Sequence, residues 1–154
     1  MPERHPELDA IVIGAGQAGP SMAARCAREG LKTVLIERGP LGGTCVNNGC
    51  VPARTWVASA RAAQVARCAA EWGVVLDAPV RVDMAAVRAR KDKIIAASHQ
   101  SLASWLGSTP NLTVVQGEAR FTGPRTLQVG DTEYSASRIF LNVGGAPLRP
   151  AMPG

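Results

Sequence analysis

Residues 8–37 set a short apolar run, Leu8-Asp9-Ala10-Ile11-Val12-Ile13, directly before Gly14-x-Gly16-x-x-Gly19. A helix-forming stretch then runs to about Arg28, and a second apolar run, Thr33-Val34-Leu35-Ile36-Glu37, follows. Gly30 stops the helix, so the stretch is a strand-helix-strand unit whose right-handed crossover lays the two strands parallel. Each glycine has its own task. The first allows a tight turn, the second lets a pyrophosphate approach where a Cβ would stand, and the third permits close packing of helix on strand. The helix N-terminus offers free N–H groups and the positive end of its dipole to phosphates. Glu37 stands roughly 20 residues past the second glycine, where a carboxylate accepts hydrogen bonds from ribose hydroxyls. The pattern predicts nucleotide binding by Gly14, Gly16, Gly19 and Glu37 without choosing between FAD and NAD. The plainer alternative is a glycine-rich turn that packs a helix and binds nothing, with Glu37 an ordinary surface acid.

Downstream, residues 53 to about 72 are rich in alanine and stop at Gly73, which predicts a helix. From Met84 the apolar positions Val87, Ile94, Ile95, Leu102, Trp105 and Leu106 recur at helical spacing, predicting a second helix with one buried face, ended by Gly107 and Pro110. Short strand-like runs follow at Leu112 to Val115, Glu118 to Phe121, Thr126 to Val129, Thr132 to Ser135 and Arg138 to Val143. They predict a small meander that returns to a central sheet. The final stretch from Pro147 reads as a connection leading elsewhere.

The chain of 154 residues has the length of one domain, and 46% hydrophobic with 19% charged residues is ordinary for a soluble globular protein. No apolar run approaches the roughly 18 residues that span a bilayer, and the first residues lack the apolar stretch of a secretion signal. No membrane is expected, and the expected location is cytoplasmic. The net charge of +5 draws on 17 basic residues, with a local group at Arg88, Arg90, Lys91 and Lys93. Asp92 interrupts that group and the 4% aromatic content offers few platforms for stacked bases, so a solvated helix face is expected and no nucleic-acid partner.

In such a compartment the four cysteines do not form a structural disulfide framework. Cys26 and Cys68 lie in alanine-rich helical stretches, as small buried hydrophobes do. Cys45 and Cys50 are different, flanking four residues of a glycine-rich segment just past the nucleotide fingerprint. A disulfide needs Cα atoms about 4.4–6.8 Å apart, whereas residues five apart in a regular helix are separated by about 8.6 Å. The segment must therefore bend, and Asn47, Asn48 and Gly49 are residue types that tolerate a bend. As a staple the bond would contribute only about 2 kcal/mol, so a redox role explains it better. A position near the start of the following helix would favour the thiolate, the nucleophile of thiol-disulfide exchange. Two free core cysteines, or half of a zinc site for which His5 and His99 have no matching spacing, are the alternatives.

With these residues in view, the chain resembles the class I pyridine nucleotide-disulfide oxidoreductases, the flavin-dependent family of dihydrolipoamide dehydrogenase, glutathione reductase and mercuric reductase. Gly42-Gly43-Thr44-Cys45-Val46-Asn47-Asn48-Gly49-Cys50-Val51-Pro52 is similar to their redox signature. Gly117-Glu118-Ala119-Arg120-Phe121 and Asn142-Val143-Gly144-Gly145-Ala146-Pro147 resemble later segments of their FAD domain, nearest the mercuric-reductase-like members. The resemblance implies an α/β, Rossmann-like FAD-binding domain, incomplete, made of a parallel sheet with a crossover helix and a small β-meander. Its parts are a Rossmann unit over residues 8–38, the redox loop and helices over 39–107, and the meander and return strand over 112–146.

FAD is the implied cofactor, with Gly14, Gly16 and Gly19 at the pyrophosphate and Glu37, beside Arg38, on the adenosine ribose. Gly43 and Thr44 would approach the pyrophosphate, Ala119 the adenine through its backbone, and Arg54 and Gly144 would complete the cofactor contacts. Cys50 is implied as the inner thiol next to the flavin and Cys45 as the outer thiol that attacks the substrate, a small molecule or a metal ion. Arg54 stands where the family usually has Lys, which exchanges a compact ammonium for a planar fork; alternatively it is a helix-start arginine facing solvent. NAD(P)H belongs only to a full-length form, because this chain carries a single nucleotide fingerprint. The NAD(P)-binding and dimerisation domains, with the homodimer they imply, and the His-Glu pair that handles the substrate proton are expected beyond residue 154. His99 has no counterpart role and is expected on the surface. The resulting expectation is a truncated flavoprotein disulfide reductase, inactive alone. Its rivals are a fragment of an NAD-dependent dehydrogenase with incidental cysteines and a non-catalytic nucleotide-binding module.

Overall fold

The computed structural model describes the backbone of Glu3 and Arg4 and all of residues 8–152. The chain divides into two units, one formed by Met1–Gly39 with Leu106–Gly154 and the other by Pro40–Trp105. His5, weighed above as a metal ligand, lies outside the described residues.

The first unit is built on β1 (Glu3–Arg4), β2 (Leu8–Ile13), helix α1 (Gly19–Arg28), β3 (Thr33–Glu37), β4 (Leu112–Gln116), β5 (Ala119–Gly123), β6 (Thr126–Val129) and β7 (Thr132–Leu141). Its seven-stranded sheet runs β4-β3-β2-β7-β6-β5, with β1 added alongside β7. Ile11 pairs with Val34 on one side and Ile139 on the other, both in parallel ladders. Strands β2 and β3 read as unbroken apolar runs because both of their faces are covered: Ala10, Ile11 and Val12 are fully buried, and Val34, Leu35 and Ile36 nearly so. Ile11, Val34 and Ile36 share one core cluster with Leu127, Val129, Tyr134 and Ala136, so the parallel strands and the meander pack as one body. Helix α1 buries Ala23, Ala24, Cys26 and Ala27, small side chains that let it lie close. Gly30, at φ +84°, ends the helix as expected.

Two expectations about the strands are corrected. Leu112–Gln116 is no part of the meander; it pairs in parallel with β3, Leu35 opposite Val114, as the edge strand of the central sheet. Thr132 to Ser135 and Arg138 to Val143 are not separate strands. They join through Ala136 and Ser137 into β7, which pairs antiparallel with β6 over its first half and parallel with β2 over its second. Ala136 is a weak strand former by propensity, but it is buried in the core cluster, and packing overrides the local preference.

The second unit holds α2 (Gly43–Asn47), α3 (Cys50–Arg67), a 3-10 turn (Ala69–Trp72) and most of α4 (Met84–Gly107). The glycine-rich cysteine segment is helical on both sides of a short break, and α3 starts at Cys50 rather than near residue 53. Asp83 caps α4, its Oδ1 accepting the Ala85 and Ala86 N–H groups at 2.9 and 3.0 Å. The apolar stripe of α4 exists, but Val87, Ile94, Ile95, Leu102 and Trp105 are only half-buried, and Leu106 alone is fully covered. Arg90, expected in a solvated charged face, donates to the Thr55 carbonyl at 3.2 Å and the Ser59 hydroxyl at 3.3 Å, tying α4 to α3. No helix among the described residues is long and apolar enough to cross a membrane.

Candidate functional site

In the first unit the three fingerprint glycines separate into two kinds. A Cβ on Gly14, at φ +100°, would stand 2.2 Å from the Asn142 carbonyl oxygen, and one on Gly19 would stand 1.9 Å from the Gly14 carbonyl oxygen. Both positions are demanded by the fold itself. A Cβ on Gly16 would meet nothing nearer than Asn142 Nδ2 at 3.5 Å, an ordinary contact, and its backbone is not in the left-handed region. Packing therefore gives no reason for glycine at position 16, whereas a phosphate lying against bare backbone does. The first turn of α1 has no side-chain cap and no acid.

Glu37 is half-buried, and both of its oxygens are already engaged. Oε2 accepts the Ala15 N–H at 2.6 Å and Oε1 accepts the Gly39 N–H at 2.7 Å. The carboxylate thus laces the glycine turn to the end of β3, a role the sequence spacing did not reveal, and each oxygen keeps a second lone pair for a ribose hydroxyl. The reading of Glu37 as an ordinary surface acid is overturned by these bonds. Arg38 is exposed, 3.8 Å from Glu118 Oε1, and Arg120 also reaches Glu118, at 3.3 Å. The Glu37 carbonyl accepts the Gly117 N–H at 2.8 Å, which brings Gly117, Glu118 and Ala119 beside the end of β3. Asn142 closes the turn from β7, its N–H donating to the Ile13 carbonyl at 2.7 Å and its Nδ2 to the Gly14 carbonyl at 3.2 Å. Gly144, at φ +73° with open space around it, follows two residues later.

Gly43, Thr44, Cys45, Cys50 and Arg54 belong to the second unit. Helix α2 ends at Asn47, Asn48 and Gly49 turn the chain, and Cys50 opens α3, so the bend falls where closure of a Cys45–Cys50 disulfide needs it. Gly49 makes the approach possible: a Cβ there would stand 2.8 Å from the Thr44 carbonyl oxygen and 3.3 Å from Cys45 Cα. Both cysteines are free thiols, Cys45 half-buried and Cys50 exposed. Hydrogen bonding to the Cys50 side chain, followed by desolvation and the charge of Cys50, holds the Cys45 thiol above its ordinary pKa; the Cys50 N–H and Arg54 oppose the shift. The expected preference for thiolate is therefore not met at Cys45, where the neighbouring Cys50 side chain and desolvation favour the neutral thiol. Arg54 is exposed on α3, and its charge is the smallest of the causes acting on Cys45, lowering its pKa.

His99 corrects another expectation. It is half-buried rather than on the surface, with Nε2 2.6 Å from Asn47 Oδ1. Asn47 Nδ2 donates to the carbonyls of Gly43, Pro40 and Leu41 at 2.8, 3.2 and 3.2 Å, which leaves Oδ1 as the acceptor and His99 Nε2 as the donor. The signal was in the sequence, since Ile95 and Leu102 lie four residues before and three after His99 on the same helical stripe. Among the described residues no group of three or more His, Cys, Asp or Glu gathers as a metal site.

Residues 8–154 match the family described as pyridine nucleotide-disulphide oxidoreductase. The chain is 37% identical over 149 residues to a dihydrolipoyl dehydrogenase of Vibrio cholerae, covering 93% of this chain and 31% of that protein. A mercuric reductase of Lysinibacillus sphaericus is 32% identical over 146 residues, covering 95% of this chain and 27% of its own length. Among solved structures, the Cu(II) complex of the HOCl-induced flavoprotein disulfide reductase RclA from Escherichia coli superposes with a TM-score of 0.80 at 28% identity, over 97% of this chain and 31% of that one. The chain thus spans less than a third of the length of each of these relatives.

Proposed function

Since the chain belongs to the pyridine nucleotide-disulphide oxidoreductase family, we propose that it is the N-terminal, FAD-binding portion of a flavoprotein disulfide reductase. The observation that carries this reading is the bend at Asn48-Gly49, which ends α2 and opens α3 between Cys45 and Cys50 and packs Gly49 so tightly that a Cβ there would stand 3.3 Å from Cys45 Cα. Bound FAD would supply the pair of electrons, drawn from NAD(P)H in a full-length enzyme, that opens a Cys45–Cys50 disulfide. The residues that fit such a group are the bare Gly16 backbone and the open first turn of α1 for the pyrophosphate, and the spare lone pairs of Glu37 for the ribose. Arg38, Ala119 and Gly144 are proposed beside them, and Gly43, Thr44 and Arg54 as further cofactor contacts.

The dithiol then reduces substrate by exchange. Cys45 Sγ, as thiolate, attacks one sulfur of a substrate disulfide, forming a mixed disulfide as the second substrate sulfur leaves as a thiolate and takes up a proton. Cys50 next attacks Cys45 Sγ, closing the internal disulfide and releasing the first substrate sulfur as a thiol. A metal-ion acceptor is the other substrate class of the reading. Arg54 and the Cys50 N–H favour the ionised Cys45 that the attack requires, against the pull of the neighbouring thiol. The proposed compartment is the cytoplasm, where thiols persist, and the proposed complete assembly is a homodimer.

The purified 154-residue chain mixed with FAD and passed through a desalting column tests the reading. Retained flavin absorbance and a Cys45–Cys50 disulfide that forms reversibly support it. A colourless protein that selectively binds NAD would sink it in favour of a dehydrogenase fragment. The chain alone is expected to turn over no substrate, and steady NAD(P)H oxidation by it would contradict that expectation.

A further inference from the structure

We infer that His99 is a positioning residue for the dithiol, holding Cys45 in reach of Cys50 through the side chain of Asn47. The inference rests on the reading of Cys45 and Cys50 as a redox pair. Helix α2 is only five residues long, Gly43–Asn47, and one turn of helix is not stable by its own backbone bonds. What holds it is the Asn47 amide, whose Nδ2 shares its two N–H groups among the carbonyls of Gly43, Pro40 and Leu41. Cys45 lies between these anchors and Asn47. The amide works only in one orientation, because a flipped Asn47 would point its oxygen at three carbonyl oxygens. His99 Nε2, donating to Oδ1 at 2.6 Å from a helix 52 residues further along the chain, selects that orientation. Ile95 and Leu102, four residues before and three after His99, are half-buried with it on one stripe of α4.

The equilibrium of the dithiol reads the arrangement directly. Oxidised glutathione converts the two thiols to the Cys45–Cys50 disulfide with release of two molecules of reduced glutathione, and the equilibrium constant measures how well the pair is pre-arranged. Wild type, His99→Phe, His99→Ala and His99→Gln are equilibrated in glutathione buffers and quenched by alkylation. Phe fills space without a donor, and Gln restores an N–H. The donor-less variants are expected to lower the equilibrium constant about fivefold, the effect of one net hydrogen bond, and Gln to recover it. Equal constants in all four overturn the inference, as does a loss that Gln does not rescue, which would mark His99 as ordinary packing. Should neither donor-less variant fold, nitrogen NMR of the wild-type imidazole decides: a neutral ring with the proton on Nδ1 overturns the inference. A wild type that forms no Cys45–Cys50 disulfide at any glutathione ratio fails on the redox reading itself, a result distinct from these.

Discussion

Glu37 Oε2 accepts the N–H of Ala15 at 2.6 Å, joining the end of β3 to the turn between β2 and α1 across 22 residues of chain. The acid and the glycine turn are therefore one construction, and the carboxylate that would meet a ribose is already oriented by the backbone it braces.

Replacing Glu37 by Gln removes that orientation. The amide keeps one acceptor but turns an NH2 toward either Ala15 or Gly39, where a donor meets a donor. Folding stability is expected to fall by about 1–2 kcal/mol, and FAD affinity by roughly tenfold, as for a lost charge-assisted hydrogen bond. Urea denaturation and a flavin fluorescence titration measure the two effects; unchanged values in both would show that Glu37 braces nothing.

The fingerprint glycines are expected to respond differently to alanine. Gly16→Ala should leave stability within about 0.5 kcal/mol, since the added methyl makes only an ordinary contact with Asn142 Nδ2, yet abolish FAD retention. Gly19→Ala, with its methyl driven against the Gly14 carbonyl, should cost about 3 kcal/mol or prevent folding. Thermal melting with and without FAD separates them. A Gly16→Ala protein that binds FAD like wild type refutes the assignment of that bare backbone to the pyrophosphate.

Gly49→Ala tests the bend. A methyl 2.8 Å from the Thr44 carbonyl oxygen must push the end of α2 away from Cys50. The expected outcome is a loss of about 1–3 kcal/mol in stability and a smaller fraction of Cys45–Cys50 disulfide at a given glutathione ratio. Undiminished disulfide formation, read by mass spectrometry of alkylated protein, would mean that the close packing at Gly49 is not what brings the thiols together.

The pH dependence of Cys45 alkylation follows from its raised pKa. A higher pKa leaves less thiolate at a given pH, so the midpoint of the rate profile of the reduced protein lies above the free-cysteine value of about 8.5. Cys50→Ala removes the largest cause, the side-chain hydrogen bond, while the backbone N–H and Arg54 keep pulling downward, so the midpoint should move to lower pH. Arg54→Gln should move it upward. A profile indifferent to Cys50→Ala would show that the Cys50 side chain does not raise the Cys45 pKa.

Elements with a local cause were legible in the sequence. Strands β2 and β3 and helix α1 fall where the apolar runs and Gly30 put them, and α4 spans the predicted Met84–Gly107. The cysteine segment was legible as a bend but not as two helices, because a five-residue helix such as α2 leaves no periodicity to read. The break expected between Ser135 and Arg138 is absent, because Ala136 is buried with Tyr134 and Leu127 in the core cluster and the strand runs through it.

By itself, the sequence determined the parts that depend on backbone freedom and local pattern: the glycine turn with its acid, the parallel pair of strands, and a cysteine pair in a segment able to bend. These are requirements on single residues and their neighbours. Only the tertiary structure decided which glycines the fold needs and which it leaves bare, that Glu37 spends two lone pairs on Ala15 and Gly39, that His99 faces Asn47, and that the Cys50 side chain raises the Cys45 pKa. Those facts are distances between atoms brought together by packing, and a hydrogen bond is decided within a few tenths of an ångström, a scale that residue order does not carry.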